Sequence, residues 1–549
     1  MGGNTLILNS GGFIASTTGF SNRTNFNNGT LTAGDSNALY FHQGGENTFN
    51  AIHFLSGSII ADNTNGAVDV IYAGRVADDA VDFTLNSTGN TYTGRTFINN
   101  AGVDMSNHAE VAGNASIFGL VPTTFTAGNV VFNGVFFKQG SYSFHENRGI
   151  ELGGAGLHNH NGNLAINGAI SGTGQILASS GVLTLGGSMD NTYSGDTIVA
   201  YGGLGVSPDL RLDLNKQDGA IAVPGDLFIS VPSNSPNNSL SNAVVRLLAS
   251  NQIANTSVVT MLRPDNDASS TGTSRAILRL NGHNETIAGL VGMAGTTATN
   301  VVVENSAAGA STLTVAPGAG RIFAYEGVVQ NGGTGSLALV LNGNATGRQI
   351  FAGPNTYTGD TTITSGILQV DGTTSGQGEY LLQSNGTLAG SGTIGAIGLN
   401  SFGGGTLSPG GVDAPGTLAF DFGSGSAVLD ATIALAFRIQ SGGQDAIELI
   451  GSTKFDISFA DLGFSNFLFS IEEGITHGTY SLISGGAGSI VGSLDENDLS
   501  GQVGNYFVTL SISGDDSALF ATVIPEPRSY ALFFALLALG LVLCRRRVR

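Results

Sequence analysis

The sequence has no tryptophan, one cysteine and three lysines (Lys138, Lys216 and Lys454) in 549 residues. Cys544 alone cannot close an intramolecular disulfide, and no cysteine-based metal site can be built. Charge is also scarce, at 11% of residues, under half the usual share. Four of the seventeen arginines fall in the last five positions, so the rest of the chain carries 16 basic against 40 acidic side chains, a net −24. No basic stripe exists for a nucleic-acid partner. Hydrophobic residues, at 41%, are too many for a solvated, disordered chain. No amphipathic helical run of any length precedes the C-terminus. What remains is a chain that must hold together by packing and backbone pairing, as repeat solenoids do.

Repeats are what the sequence has instead. Asn90-Thr-Tyr-Thr-Gly-Arg-Thr-Phe-Ile98 is echoed by Asn191-Thr-Tyr-Ser-Gly-Asp-Thr-Ile-Val199 and Asn355-Thr-Tyr-Thr-Gly-Asp-Thr-Thr-Ile363. A Gly-Thr-Gly turn and a short alternating run precede the last two: Gly172–Gly174 with Val182–Leu185, and Gly333–Gly335 with Leu337–Val340. The recurring unit is two to five residues of period-2 alternation ended by Gly, Asn or Ser. Period 2 sends alternate side chains to one face, and Asn-Gly and Gly-Gly give the positive φ of tight turns. Strands this short cannot make wide sheets, but they can bend around a parallel β-solenoid whose coils stack about 4.8 Å apart. Coils of roughly 20 to 25 residues are expected. The fold class is therefore all-β, a parallel β-solenoid (β-helix) over 1–419. Phenylalanine then becomes frequent, from Phe420 to Phe469, and the Asn-Gly turns thin out. A last coil leaves open strand edges and an exposed core, so 420–523 is expected to be a capping β-structure; further coils with larger core residues are the alternative.

The repeated units, with Leu280-Asn-Gly-His-Asn-Glu-Thr-Ile-Ala-Gly-Leu290, Gly386-Thr-Leu-Ala-Gly-Ser-Gly-Thr-Ile-Gly395, Gly405–Gly410 and Ala414–Leu418, resemble the autotransporter-associated β-strand repeat proteins. That resemblance covers much of 90–420 in patches. It implies a β-helical, surface-displayed chain with no catalytic residues to carry over.

The tail, 524–549, has a different character. Tyr530 to Cys544 carries no charge and no strong polar group; at 1.5 Å per residue it would reach roughly 22 Å as a helix, against a bilayer core of about 30 Å. The flanks favour a single C-terminal transmembrane helix. Arg545, Arg546, Arg547 and Arg549 can snorkel and would keep the C-terminus cytoplasmic, which puts the acidic body outside. Ahead of the run, Pro525-Glu526-Pro527 should stay extended and unpaired. Triplet, apolar run and Arg cluster, in that order, resemble the PEP-CTERM sorting signal. The resemblance implies recognition of Pro525, Glu526 and Pro527 by an exosortase-type membrane protease, with the Arg cluster as stop signal, and transfer of the body to the cell envelope, surface or exterior. The N-terminus does not match such a route. Met1–Ser10 has no basic region, apolar core or cleavage site, and Leu6 and Leu8 already alternate as strand residues, so Met1 is expected to be a misassigned or truncated start.

Other chemistry is weak. Gly390-Ser-Gly-Thr-Ile-Gly395 matches GxGxxG but lacks the helix and acidic residue of a dinucleotide site. His158 and His160, with His145 and Glu146 nearby, could suggest a metal, yet Asn159, Asn161 and Gly162 mark a turn, so solvated loop histidines are expected. Asp78, Asp79 and Asp82 beside Arg75 are the one tight acidic group in the N-terminal half and read as an exposed turn. Thr361-Thr-Ile-Thr364 is too irregular for a flat Thr face. No metal, cofactor or catalytic residue is expected. The function that follows is a structural or adhesive exterior solenoid, with extracellular polysaccharide as a possible partner. The alternatives are a polysaccharide-active β-helix enzyme and a permanently tail-anchored exterior protein.

Overall fold

In the computed structural model, residues 3–15, 23–44, 52–75, 81–160, 162–200, 209–231, 242–263, 274–293, 298–411 and 414–525 are described. Among them the helices are two single-turn 3₁₀ segments, Ala298–Asn300 and Phe464–Asn466. Everything else regular is strand. The chain forms two compact units, one made of 1–316 with 324–337 and the other of 317–323 with 338–549.

The first unit is a stack of parallel coils. One ladder runs Leu157 to Ile176 to Thr197 to Leu227 to Val259. A second runs Tyr142, Leu164, Leu183 and Leu212. Alternation decides what is buried: in Val182–Gly187, Leu183 and Leu185 are fully buried while Val182 and Thr184 are half-exposed. Inward residues of successive coils thus stack on one another. In the first coils these are aromatic: Phe26 lies 5.2 Å from Phe54, Phe41 5.7 Å from Tyr72, and Tyr72 5.2 Å from Phe83.

Coil length varies more than the expected 20 to 25 residues. Leu157 pairs with Ile176, a step of 19, but His108 pairs with Tyr142, a step of 34. The long coil carries an irregular excursion between Glu110 and Phe125. A coil can lengthen at its corners without disturbing the ladder, because only the strands must stay in register.

The second unit is built alike. Thr361–Val370 pairs in parallel with Glu379–Gly390, and that strand with Gly398–Phe402 and Thr406–Pro409. Within 420–523 two kinds of pairing occur. Parallel stacking continues through Ala434–Gln440 on Phe467–Ile471. Gly478–Ser484 then pairs in parallel with Ala446–Leu449 on one side and antiparallel with Ala518–Pro525 on the other. Tyr506–Ile512 and Ser500–Val503 extend that antiparallel sheet. Beyond Gly478–Ser484 the pairing in this sheet is antiparallel, while parallel stacking elsewhere in the range continues to Ile490–Val491.

The three Asn-Thr-Tyr repeats share a buried Tyr–Thr bond, and in the first two the Asn also joins neighbouring coils, whereas Asn355 donates to Gly353 of its own coil. Asn191 is buried; its Oδ1 accepts the Ile170 N–H (2.9 Å) of the coil before, and its Nδ2 donates to the Ala222 carbonyl (2.8 Å) of the coil after. Asn90 does the same with Ile60 and Ile117, both at 2.8 Å. Two residues on, each Tyr is buried with its hydroxyl on a Thr four positions further: Tyr92 with Thr96 (2.7 Å), Tyr193 with Thr197 (2.5 Å) and Tyr357 with Thr361 (2.7 Å). The glycine of the unit is a matter of space. A Cβ on Gly94 or Gly195 would sit 2.3 or 2.4 Å from the Val68 or Gly174 carbonyl oxygen of the adjoining coil.

Asn191→Ala leaves one N–H and one C=O buried without partners, at about 1–3 kcal/mol each. The expected result is a clear fall in melting temperature by circular dichroism, whereas substituting the half-exposed Ile198 with Thr changes it little.

Candidate functional site

The residues singled out in the sequence are placed as follows. His158 sits mid-strand in Leu157–Asn159, half-buried, with its ring 4.4 Å from that of Phe136 and its Nε2 2.6 Å from the Ser179 hydroxyl. His160 reaches the same hydroxyl through Nδ1 at 3.2 Å. The expectation of solvated loop histidines is corrected here: ladder register puts His158 directly over Phe136, and two rings close on a buried serine. His145 lies in a turn, its Nδ1 accepting the Asn147 N–H at 3.1 Å. Among the described residues no group of three His, Cys, Asp or Glu could hold a metal ion.

Asp78 and Asp79 lie outside the described residues. Asp82 is buried rather than exposed. It pairs with Arg75 at 2.8 Å and accepts the Gly102 N–H at 3.0 Å, while burial raises its carboxyl above the ordinary range. This is a staple between chain ends flanking 76–80. Gly390 ends one strand and Thr393–Gly395 forms the next, so the GxGxxG match is a coil corner. Thr361 is buried and Thr362 half-exposed, so those threonines share no flat face.

Pro525, the last described residue, lies in the central strand of the antiparallel sheet opposite Tyr506. It is therefore paired, not free as expected. Glu526, Pro527, the apolar run and Arg545, Arg546, Arg547 and Arg549 lie outside the described residues. Among the described residues no helix is long and apolar enough to cross a membrane.

Two buried polar clusters escaped the sequence reading. Arg148, fully buried, pairs with Glu110 at 2.9 Å and donates to the Phe118 carbonyl (2.9 Å), the Ser116 hydroxyl (3.2 Å) and Asn129. Glu110 also accepts from the Tyr142 hydroxyl (2.8 Å) and the His145 N–H (3.0 Å). Together they lock the 110–125 excursion onto the stack. Further along, buried Glu285 accepts the N–H groups of Gln252 (2.8 Å) and Thr286 (3.0 Å), yet its burial outweighs these bonds and pushes its pKa up to about 7. Both clusters are buried and bonded to groups of the fold itself.

Two shallow troughs lie on the surface of the described residues. In the first unit, Ser141, Asn163 and Val182 form one outward column ending at Arg211, and Ala109, Ser143, Ala165 and Thr184 form its neighbour ending at Asp213. The side chains along both columns are small, so the space above them, about 600 Å³, stays open. In the second unit Thr373, Ser375, Thr393 and Gly395 floor a trough of about 690 Å³ whose charged side chain is Asp421. The alternation Leu210-Arg-Leu-Asp-Leu214 marks outward charges in the sequence, but only register shows what they border.

Two outcomes test the buried clusters. Arg148→Met leaves Glu110 buried and unpaired and is expected to cost about 3–5 kcal/mol in denaturant unfolding, while the Arg148→Met/Glu110→Leu pair recovers most of it. For Glu285, the folded pKa is raised, so its contribution is present below the unfolded value near 4.5 and lost as pH rises to about 7. Glu285→Gln should therefore gain stability on the wild type across that window, by up to about 3 kcal/mol, and hold a constant difference above it.

No protein-family model matches the chain, and no curated protein matches it. Among solved structures it is similar to the crystal structure of the Haemophilus influenzae Hap adhesin, at 12% identity over 91% of this chain and a TM-score of 0.30. The match spans 59% of that protein's chain, and a likeness this loose carries no functional information.

Proposed function

We propose that the chain is the body of a bacterial surface or secreted β-solenoid with a structural or adhesive role, made as a membrane-anchored precursor and processed at a PEP-CTERM-type signal. The observation that carries this reading is the order of parts in the tail. The antiparallel sheet runs through Pro525, the last described residue and the first of the Pro-Glu-Pro triplet, so a cut beyond the triplet would leave every described strand in the body. The tail then supplies, in order, the triplet, an apolar run able to enter a membrane and an Arg cluster able to hold its end in the cytoplasm. Polar groups of the Asn90 and Asn191 corners are spent on stacking the coils, which suits a body held together by packing and backbone pairing.

The enzyme alternative draws no support from the best-placed carboxylate. Asp213 has both oxygens engaged, by Arg211 at 2.9 and 3.1 Å and by Arg246 at 2.9 Å on each. A carboxylate held between two guanidinium groups is not an available general base.

Mass spectrometry of the mature protein from its own host's envelope and medium tests the processing. The expected product ends at or shortly after Pro525. Intact peptides from Tyr530 through the Arg cluster would mean that the tail is a permanent anchor and no exosortase-type protease acts on it.

A further inference from the structure

The trough of the first unit ends in a cation that is held in place and left with donors to spare. Arg211 uses its Nε on both oxygens of Asp213. Asp213 is 5% exposed and is gripped from the next coil by Arg246 through two further bonds. The Arg211 guanidinium is thereby fixed in orientation, while among the described residues neither of its Nη atoms has a protein acceptor. It borders the trough, and its side chain is 29% exposed. A pre-oriented planar fork with free donors matches a carboxylate. In a body with 40 acidic and few basic side chains, a cation placed so has a job other than surface charge.

The floor tells what carries that carboxylate. Ser141, Ser143, Asn163 and Thr184 line the trough with hydroxyl and amide groups, and Ala165 keeps it flat. From Ala109 to Asp213 the column crosses four coil steps, on the order of 19 Å at about 4.8 Å each. That suits several sugar rings in a row rather than one. A peptide fits poorly. Each of the strands Ser141–Phe144, Asn163–Ile166, Val182–Gly187 and Asp209–Lys216 already pairs on both sides, so no edge is open for an added strand.

We propose that this trough binds an acidic polysaccharide, with Arg211 taking a uronate carboxylate and the Ser, Asn and Thr floor taking ring hydroxyls. The second unit's trough, with Asp421 as its charge, would repel the same ligand. The proposal rests on the reading of an exterior body only for its setting; binding is measured on purified protein, so it fails or stands independently of tail processing.

The test is titration calorimetry of the full chain with tetragalacturonate and tetramannuronate, alongside tetragalacturonate methyl ester and tetraglutamate. Arg211→Ala removes the fork, and Ala165→Trp fills the trough without touching any charge; native circular dichroism qualifies both. The expected result is binding of at least one uronate, weaker by about tenfold or more in Arg211→Ala, for the methyl ester and for tetraglutamate, and lost in Ala165→Trp. No binding of either uronate overturns the proposal. So does binding that survives either variant, since the ligand would then lie elsewhere or need no cation. Tetraglutamate binding as tightly as the uronates would make the site one for acidic peptides and also overturn it.

Discussion

Every coil of a parallel solenoid must satisfy its backbone through the coils above and below, and the corners are where that is hardest. Strands pair automatically; a bend interrupts the ladder and leaves N–H and C=O groups inside the stack without a regular partner. Here a side chain substitutes for the missing peptide. Asn191 accepts from Ile170 and donates to Ala222, joining three coils from a position that is itself outside the strands. The Tyr–Thr hydroxyl pair beside it lets a large aromatic be buried without stranding its polar end. Ladder, corner and core are thus one cooperative arrangement, and the paucity of charge follows from it. A like charge repeated in register would recur about every 4.8 Å.

The same constraint explains which parts of the fold were legible in the sequence. Period-2 runs and Gly or Asn punctuation identify strands and turns, and the recurrence of Asn-Thr-Tyr announces a stacked repeat, because these signals are local. The roles inside the repeat are not. That Tyr193 meets Thr197 is a matter of four residues, but that Asn191 meets Ala222 depends on the length of the next coil. Coil length is where the reading was least accurate, since excursions such as 110–125 are free to grow wherever a cluster like Arg148 and Glu110, 38 residues apart, can tie them down. His158 went astray for the same reason. Its neighbours Asn159, Asn161 and Gly162 look like a loop, while its true environment is Phe136, one coil away.

The candidate site was less legible still. A trough made by small side chains has no motif; it is the absence of bulk at matching register positions on several strands. The sequence offered Arg211 and Asp213 only as two charges at outward positions of an alternating run, and Arg246, which fixes Asp213, lies 33 residues further on. The features that did stand out, the acidic group near Arg75 and the GxGxxG match, became a staple and a corner. The tail is the opposite case: its order of parts is visible only in the sequence.

Hydrogen exchange by mass spectrometry addresses the central claim, that the Asn-Thr-Tyr corners are load points of the stack and not exposed recognition loops. Peptides covering 90–98, 191–199 and 355–363 should exchange as slowly as the flanking strands, in the folded protein at neutral pH. If those three segments exchange at the rate of open loops while the strands stay protected, the corners do not join the coils, and the account of how this chain holds together is wrong.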